Sequence, residues 1–405
     1  MRIADVTPLM VYPPGNGSAE RMLNLLTRLS RAHEIRQFSQ PRRGQCRRDG
    51  FEREVRITDS YSEYRYTNPV STAAMEWCYR TWLTTPVLSG AVLHLTRPSR
   101  LRGDLRWADV CIVEFPWQYA FCRREFPKRR LVLVAHNVEI TTRISSAVAA
   151  GVDPEKSPVI RYVRRVEERA VADADLIVAV SPEDRRVFLD RFSVEPERVV
   201  EVPNGADTAA FVPLERQARG SLRRRLGLPD RPTVVFIAGP RKPPDIAGLA
   251  WVRRAARRVP DATFLVVGGV VDRPFVDGNV VATGYVPDPR PYLQAADVSL
   301  CPIEYGGGTK IKVWDSLATG LPTVVFSETL RGTLLRDREH VAIAAKSEDA
   351  LAAVVGRLLS DWELADRLGA GGRAFVVANN DYEAIASRLE DALVALMAAR
   401  PPGND

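Results

Sequence analysis

The stretch PIEYGGGTKIKVWDSLATGLPTVV, from Pro302 to Val325, places three consecutive glycines between an apolar run and a segment of helical period. Gly320 and Pro322 follow the helical segment as typical stop signals. A strand, a bare loop, a helix and a second strand in this order form the unit from which parallel α/β sheets are built. The predicted elements are a strand at residues 297–302, a loop at 303–309, a helix at 310–319 and a strand at 323–326.

The glycine loop and the helix that follows it predict an anion site. Glycines let a ligand approach the backbone closely, and the N-terminus of a helix directs free N–H groups and a partial positive charge at the ligand. Asp315 lies about 9 Å along the helix at about 1.5 Å per residue, so a nucleoside diphosphate would place its ribose near this side chain. The alternative is a tight turn with solvated lysines, in which Asp315 pairs with Lys312 or a neighbour. The GxxxxGK[ST] spacing is absent, which argues against a kinase or an ATPase.

The same alternation of apolar runs, small loops and helical segments recurs along the chain and predicts two doubly wound α/β domains in tandem. The stretch between them is rich in Pro, Gly and Arg, so we expect a hinge there. We expect an N-terminal domain at residues 1–205, a linker at 206–232 and a C-terminal domain at 233–380, with a last helix at 381–400 able to pack back on the first domain.

Composition narrows the function classes. The 405 residues carry a net charge of +7, which predicts an anionic partner, but the arginines are dispersed and no aromatic RNA-binding motif accompanies them. The five cysteines show neither a CxxC pair nor zinc-site spacing. No apolar run reaches the roughly 20 residues of a membrane span. We therefore expect a cytoplasmic protein without a metal site, and peripheral contact with the inner membrane face stays open.

Several polar residues follow predicted strands of the first domain, where α/β sheets bind ligands. Gly15, Asn16 and Gly17 lie in the first loop and favour close approach of a sugar or phosphate, with a plain turn as the alternative. His136 follows the apolar run LVLVA and could hydrogen-bond a sugar or serve only the packing of the domain.

Other candidates lie elsewhere in the chain. Glu114 and Trp117 in VEFPWQ are candidates for an acceptor pocket, with a place in the core as the alternative. Arg241 and Lys242 follow the first strand of the second domain, where two cations could neutralise a departing diphosphate, unless they are simply solvated. The backbone near Val286 is a candidate contact for a nucleotide base.

The segment YGGGTKIKVWDSLATGLPTVV resembles the donor-binding segment of family 4 glycosyltransferases, which have the GT-B fold. Three further stretches are similar to the pattern of that family: PPGNGSAERMLNLLTRLS, AHNVE and VEVPNGADTAAFVP. The resemblance implies two Rossmann-like domains facing a central cleft, with the donor bound by the second domain and the acceptor by the first. It implies transfer of a sugar from a UDP-, GDP- or dTDP-sugar with retention of anomeric configuration, without a metal or a tightly bound cofactor. The acceptor would be a carbohydrate, a lipid-linked glycan or a small metabolite.

The chain departs from the family pattern at one point. Members commonly carry two glutamates eight positions apart, whereas this chain has Gly307 at the first position and Asp315 at the second. Whether Glu304 replaces the missing acid stays open. The residues that we expect to act in catalysis are Arg241, Lys242 and His136, and those that we expect to bind substrate are Gly15, Asn16, Gly17, Glu304, Gly306, Gly307, Gly308, Thr309, Lys310, Asp315 and Val286.

Two other readings stay open at this point. A basic two-domain module that binds nucleic acid or an anionic membrane fits the charge, although the ordered set of motifs makes nucleic acid an unexpected partner. An epimerase or a phosphorylase with the GT-B fold fits the motifs.

Overall fold

The computed structural model describes residues 1–47, 50–81, 85–239 and 243–399. The chain forms two compact α/β units, the first comprising Met1–Pro203 and the chain from Ile385 onward, and the second comprising Asn204–Ala384. The two doubly wound units expected from the sequence are confirmed.

The first unit is built on one sheet of eight described strands in the order β3-β4-β2-β1-β5-β6-β7-β8. All neighbouring strands are parallel except β3 and β4. The strands are β1 (Arg2–Thr7), β2 (Glu34–Ser39), β3 (Glu54–Thr58), β4 (Tyr61–Arg65), β5 (Val110–Glu114), β6 (Arg130–Ala135), β7 (Leu176–Ala179) and β8 (Val199–Glu201). The helices are α1 (Gly17–Leu29), α2 (Arg43–Cys46), α3 (Pro69–Arg80), α4 (Ser89–Thr96), α5 (Ser99–Trp107), α6 (Tyr119–Glu125), α7 (Glu139–Ala149), α8 (Pro158–Asp173) and α9 (Pro182–Phe192).

The second unit has a sheet of seven described strands in the order β11-β12-β10-β9-β13-β14-β15, in which only β11 is antiparallel to its neighbour. The strands are β9 (Thr233–Ile237), β10 (Thr263–Val267), β11 (Phe275–Asp277), β12 (Val280–Gly284), β13 (Val298–Cys301), β14 (Thr323–Val325) and β15 (Ala342–Ile343). The helices are α10 (Arg216–Arg225), α11 (Pro243–Arg258), α12 (Arg290–Gln294), α13 (Ile311–Ala318), α14 (Glu348–Ser360), α15 (Trp362–Asn379) and α16 (Tyr382–Ala398), the last of which continues into the first unit.

Residues 206–232, expected as a linker, are part of the second unit and contain the helix α10. Arg223 on this helix donates to Asp297 at 2.5 Å and to the Ala295 carbonyl at 2.8 Å, both just before β13. Arg373 on α15 donates to the Phe211 carbonyl at 2.9 Å. These contacts hold the stretch against the unit, so its arginines serve packing as well as solvation.

Both sheets change winding direction at a central strand. In the first unit β1 lies between β2 and β5, and in the second unit β9 lies between β10 and β13. Because the connections leave such neighbouring strands in opposite directions, a crevice opens beyond their carboxyl ends, and ligands of α/β proteins bind there. The strand order therefore predicts ligand sites at the loops after β1 and β5 and at those after β9 and β13.

None of the helices in the described part of the chain combines the length and the apolar character that a membrane-spanning helix needs.

Candidate active site

The glycine loop follows β13, at the point where the second sheet changes direction. Its backbone depends on two of the three glycines, because Gly306 has φ 116° and Gly308 has φ 61°. These values lie in the region that favours glycine. Gly307 has no positive φ. A side chain at Gly306 would also meet Pro244 at the start of α11, with a Cβ–Cγ distance of 3.4 Å.

Lys310 closes the glycine loop on itself. Its ammonium donates to the carbonyls of Gly306 at 3.2 Å, Gly307 at 2.9 Å and Gly308 at 2.9 Å. Burial, with the charges of Lys312 and Arg331 as lesser contributions, lowers the pKa of the Lys310 ammonium to about 8. A cation therefore lies inside the loop at neutral pH, held by three carbonyl dipoles.

Lys312 has a different partner from the one considered in the sequence. Its ammonium forms an ion pair with Asp245 in the first turn of α11 and lies 5.2 Å from the ring centroid of Phe236 on β9. This pair joins the helices that follow β9 and β13, so it holds the two sides of the crevice at a fixed spacing.

Asp315 lies in the middle of α13 and is 5% exposed. Its carbonyl accepts hydrogen bonds from the Thr319 N–H at 3.0 Å and the Thr319 hydroxyl at 2.8 Å. Asp315 therefore lies in a helix whose residues Val313 to Ala318 are all buried.

Asn204, in the stretch VEVPNGADTAAFVP, contacts the glycine loop. Its Nδ2 donates to the hydroxyl of Thr309 at 2.8 Å, and its carbonyl accepts a 2.6 Å hydrogen bond from Asn380. Both Asn204 and Thr309 are buried. Thr329 fixes the other end of the loop, because its hydroxyl donates to the Ile303 carbonyl at 2.9 Å. No spacing in the sequence signalled either contact, since each joins segments far apart in the chain.

The remaining candidates of the second unit are placed as follows. Glu304 is partly exposed in the glycine loop and forms no hydrogen bond or ion pair with the described residues. Val286 is partly buried beyond β12 and packs against the core of the unit. Arg241 and Lys242 lie outside the described residues, between Gly239 and Pro243.

In the first unit the loop after β1 leads into α1. The Asn16 side chain accepts a 3.2 Å hydrogen bond from the Ala19 N–H and caps α1, which begins at Gly17. A Cβ at Gly15 would meet nothing within 4 Å. Packing within the unit therefore does not require glycine at this position.

His136 pairs with Glu114. The two side chains meet beyond β6 and at the end of β5, with 2.6 Å between His136 Nε2 and Glu114 Oε2. The ring of Phe115 stacks on the imidazole, with 4.3 Å between centroids and 18° between planes. Burial raises the pKa of Glu114 to about 8 and, together with the charge of Arg21, lowers the pKa of His136 to about 3. Both shifts favour neutral groups.

A second carboxylate organises the loop after β1. Glu63 is fully buried and accepts hydrogen bonds from the N–H groups of Val11 at 2.8 Å and Tyr12 at 3.1 Å, and from the Ser39 hydroxyl at 2.7 Å. Arg65 forms an ion pair with it at 3.3 Å. Trp117, considered for an acceptor pocket, is 2% exposed and packs in the core of the unit.

In the described ranges, no group of three or more His, Cys, Asp or Glu side chains is arranged to hold a metal ion.

The chain matches the models of two protein families. "Glycosyltransferase Family 4" matches residues 15–210, and "Glycosyl transferases group 1" matches residues 231–361. The second match contains the glycine loop and α13, and the first contains Gly15 and His136.

Curated relatives cover part of the chain. A D-inositol 3-phosphate glycosyltransferase of Salinispora arenicola is 30% identical over 269 residues, which are 60% of this chain and 59% of that protein. A GDP-mannose-dependent alpha-(1-6)-phosphatidylinositol monomannoside mannosyltransferase of Mycolicibacterium smegmatis is 31% identical over 264 residues, which are 60% of this chain and 67% of that protein. The matched stretch thus spans about three-fifths to two-thirds of these relatives.

Solved structures match nearly the whole chain. Sucrose-phosphate synthase of Thermosynechococcus elongatus has a TM-score of 0.74 at 18% identity, with 98% of this chain and 99% of that chain covered. HepE of Anabaena in complex with UDP and glucose has a TM-score of 0.69 at 14% identity, with 98% and 100% covered. At this identity the likeness shows the fold, and it confirms the expected GT-B architecture.

Proposed function

The chain belongs to glycosyltransferase family 4, and from that premise we propose that it transfers a sugar from a nucleoside diphosphate sugar to an acceptor, with retention of anomeric configuration. The second unit would bind the donor and the first unit the acceptor. No metal is assigned a role, because cationic side chains and backbone N–H groups suffice to neutralise a departing diphosphate.

The observation that carries the proposal is the glycine loop at the direction change of the second sheet. Gly306 and Gly308 adopt glycine-specific backbone, and the ammonium of Lys310 lies against the loop. A diphosphate there would meet bare backbone, the N-terminal end of α13 and a cation, which together suit an anion. The diphosphate oxygens would accept hydrogen bonds from the Lys310 ammonium in place of the loop carbonyls. Charged acceptors would thereby replace neutral ones.

The other roles in the donor site are proposed from their positions. Asp315, inside α13, would accept from the ribose hydroxyls, and the backbone near Val286 would contact the base. Glu304 has no partner among the described residues, so it is the acid that could supplement Asp315 in place of the one missing at Gly307. Arg241 and Lys242 would stabilise the leaving diphosphate from the loop after β9. In the first unit, Gly15, Asn16, Gly17 and His136 would contact the sugar or the acceptor.

The choice of nucleotide is supported only by similarity. HepE was solved with UDP and glucose, and the Mycolicibacterium relative is named as GDP-mannose-dependent. UDP and GDP are thus the first donors to test, with dTDP as a third. The relatives' names suggest an inositol-containing acceptor, either phosphorylated or lipid-linked.

A lipid-linked acceptor would fit peripheral contact with an anionic membrane surface, for which the net charge of +7 is the support. The absence of paired or zinc-type cysteine motifs supports action in a reducing, cytoplasmic setting. Sedimentation with phosphatidylglycerol vesicles at low and high salt tests the membrane contact. Equal recovery with neutral phosphatidylcholine vesicles would contradict it.

The function is tested first by thermal shift with UDP, GDP and dTDP. A ligand at 100 times its dissociation constant adds about 2.7 kcal/mol of apparent stability. The best nucleotide's sugars are then incubated with inositol phosphates and phosphatidylinositol. Mass spectrometry identifies a glycosylated product, and NMR coupling constants give the anomeric configuration of its new bond. Turnover of the donor alone to a different sugar would instead indicate an epimerase. Failure of all three nucleotides to stabilise the protein would contradict the proposal.

A further inference from the structure

A buried hydrogen bond joins the beginning of the second unit to the glycine loop. Asn204 is the first residue of the unit, and its Nδ2 donates to the hydroxyl of Thr309 at 2.8 Å. The two residues are 7% and 9% exposed. Water competes poorly for a contact that is buried to this degree, and an amide left there without a partner would be costly. The hydrogen bond is therefore a fixed part of the unit.

The backbone of Asn204 is held by the segment through which the chain leaves the unit. Residues 204–208 and 380–382 lie side by side near the two ends of the unit, and we call them the clasp. The Asn380 side chain donates to the Asn204 carbonyl at 2.6 Å, and the Ala206 N–H donates to the Asn380 carbonyl at 3.0 Å. The side chain of Asn204 therefore extends from a defined place.

The helix α13 is anchored to the same part of the unit at its far end. Arg373 on α15 donates to the Ala318 carbonyl in the last turn of α13 and, at 2.9 Å, to the Phe211 carbonyl just beyond the clasp. Thr309 lies directly before the N-terminal end of this helix. Because α13 is held at both ends, the position of Thr309 is fixed relative to Asn204.

The Thr309 hydroxyl accepts a hydrogen bond, but its own proton has no acceptor in the described part of the chain. A threonine hydroxyl carries one proton and can also accept, whereas an amide nitrogen only donates. The hydroxyl therefore accepts from Asn204, and no described group accepts from it. A buried donor without an acceptor costs free energy that a ligand can recover. The ammonium of Lys310, the next residue, lies against the same loop, so an anionic oxygen suits this place as the acceptor.

We propose that Asn204 is a positioning residue of the donor site, which orients the Thr309 hydroxyl so that its proton is donated to a phosphate oxygen. Thr309 is the residue that meets the ligand, and Asn204 acts through it. The assignment of that phosphate to a nucleoside diphosphate sugar rests on the proposed function. The hydrogen bond between Asn204 and Thr309 does not rest on it, because the bond lies within the second unit and forms without a ligand.

An amide suits this role better than the alternatives at residue 204. Because its nitrogen donates to the hydroxyl, the proton of Thr309 stays available for the ligand. A carboxylate in the same place would accept that proton and would repel a diphosphate. An apolar side chain would leave the hydroxyl free to rotate, and the affinity gained from a preorganised donor would be lost. Asparagine therefore fixes the hydroxyl without using its proton.

Calorimetry with UDP, GDP, dTDP and inorganic pyrophosphate tests the role of Asn204. Asn204→Ala and Thr309→Val should each weaken binding by roughly tenfold or more, since each removes a hydrogen bond to a charged group or its support. The double variant should bind within about threefold of the weaker-binding single variant, because Asn204 acts through Thr309. Thr309→Ser keeps the hydroxyl and should restore binding to within about threefold of the wild type. Unchanged dissociation constants in Asn204→Ala, or losses that multiply in the double variant, would overturn the proposal.

Thr208→Val is the matched control for Thr309→Val. It removes a hydroxyl from the clasp, where Thr208 donates to Asp381 at 2.5 Å and not to the glycine loop. It should lower the midpoint of thermal unfolding and leave the dissociation constants within about threefold of the wild type. A loss of affinity as large as that of Thr309→Val would show that loosening of the unit weakens binding, and it would overturn the proposal.

Asn204→Asp decides if Asn204→Ala does not fold. It keeps the shape of the side chain, but its carboxylate accepts the proton of Thr309, so binding should weaken by roughly tenfold or more. Wild-type affinity in this variant would overturn the proposal. If the wild type binds pyrophosphate but none of the three nucleotides, the proposed function fails while the same variants decide the role of Asn204 with pyrophosphate. Binding of none of the four probes by the wild type would overturn both.

Discussion

The two sheets present different chemistry at the places where their winding changes direction. In the first unit this edge is lined by buried carboxyl groups, Glu63 within β4 and Glu114 at the end of β5, whose described partners belong to the same unit. In the second unit the corresponding place is a loop of glycines closed by Lys310. The edge of the first sheet is thus completed by folding, whereas the edge of the second leaves a charge and bare backbone where the proposed donor would bind. Substitutions should therefore cost mainly stability at the first edge and mainly affinity at the second.

The largest effect is expected from Glu63→Ala. The change leaves Arg65 and the N–H groups of Val11 and Tyr12 buried without their acceptor. Breaking a buried ion pair of this kind costs about 3–5 kcal/mol, measured as a fall in the free energy of urea unfolding. Glu54→Ala is the control, because Glu54 is exposed in its pair with Arg100 and such a pair contributes less than about 1 kcal/mol. Equal losses of unfolding free energy in the two variants would contradict the conclusion that buried charges stabilise this edge of the first sheet.

Lys310→Met should lower nucleotide affinity at the edge of the second sheet, with little effect on the stability of the fold. It removes the cation from the glycine loop while keeping the length and apolar stem of the side chain. Hydrogen bonds to charged groups contribute about 1.5–3 kcal/mol, so calorimetry should show affinity for the stabilising nucleoside diphosphate reduced roughly 10- to 100-fold. Lys346→Met is the matched control, since that lysine is paired with Glu328 at 2.6 Å outside the loop. A dissociation constant unchanged in Lys310→Met would remove Lys310 from the donor site.

The sequence predicted the second edge better than the first. At residues 302–325 the proposed donor site is local: glycines, a helix start and stop signals lie in one run, so the strand, loop and helix can be predicted directly from the sequence. The buried polar contacts of the first sheet are not local, because Gln37 with Asp5 and His136 with Glu114 meet only when their strands are neighbours, and strand order is not written in any one segment. The strands β3 and β4 are hard to predict for a related reason. EVRIT and YSEYR contain no continuous apolar run, and β4 buries the polar residues Glu63 and Arg65, while β4 pairs with both β3 and β2.

Contacts that join distant segments account for the other misses. Asn204 reaches Thr309 across 105 residues, and Arg223 holds α10 against the unit within the stretch that was expected as a linker. The apolar residues continue to Met10, but β1 ends at Thr7, whose hydroxyl accepts from the Leu9 N–H at 3.2 Å. Arg241 and Lys242 lie outside the described residues, so their roles stay predictions from position.

A comparison within the glycine loop is the next test. Gly306→Ala forces a Cβ onto a backbone with φ 116°, whereas Gly307 has no positive φ. Strain of this kind lowers the free energy of unfolding by about 1–3 kcal/mol. If the loop relaxes to avoid the strain, the binding free energy of the nucleotide falls by about the same amount. We expect calorimetry and thermal unfolding together to show this loss for Gly306→Ala and less than about 0.5 kcal/mol for Gly307→Ala. Equal behaviour of the two variants would mean that the loop conformation is not required for binding.

The smallest effect concerns pH and separates the charge of Lys310 from the shape of the loop. The Lys310 pKa is lowered to about 8 in the free protein, and a bound diphosphate would raise it again. Nucleotide affinity should then be nearly constant below pH 7.5 and fall about tenfold from pH 7 to pH 9, since each pKa unit corresponds to about 1.36 kcal/mol. A loss of folding stability does not explain this fall in nucleotide affinity. A lysine pKa lowered by folding means that the unfolded chain binds more protons between pH 8 and 10.5, so this group stabilises the folded state increasingly as pH rises. Lys310→Arg should flatten the profile because guanidinium stays charged, and a wild-type profile that is already flat would place the titrating charge elsewhere.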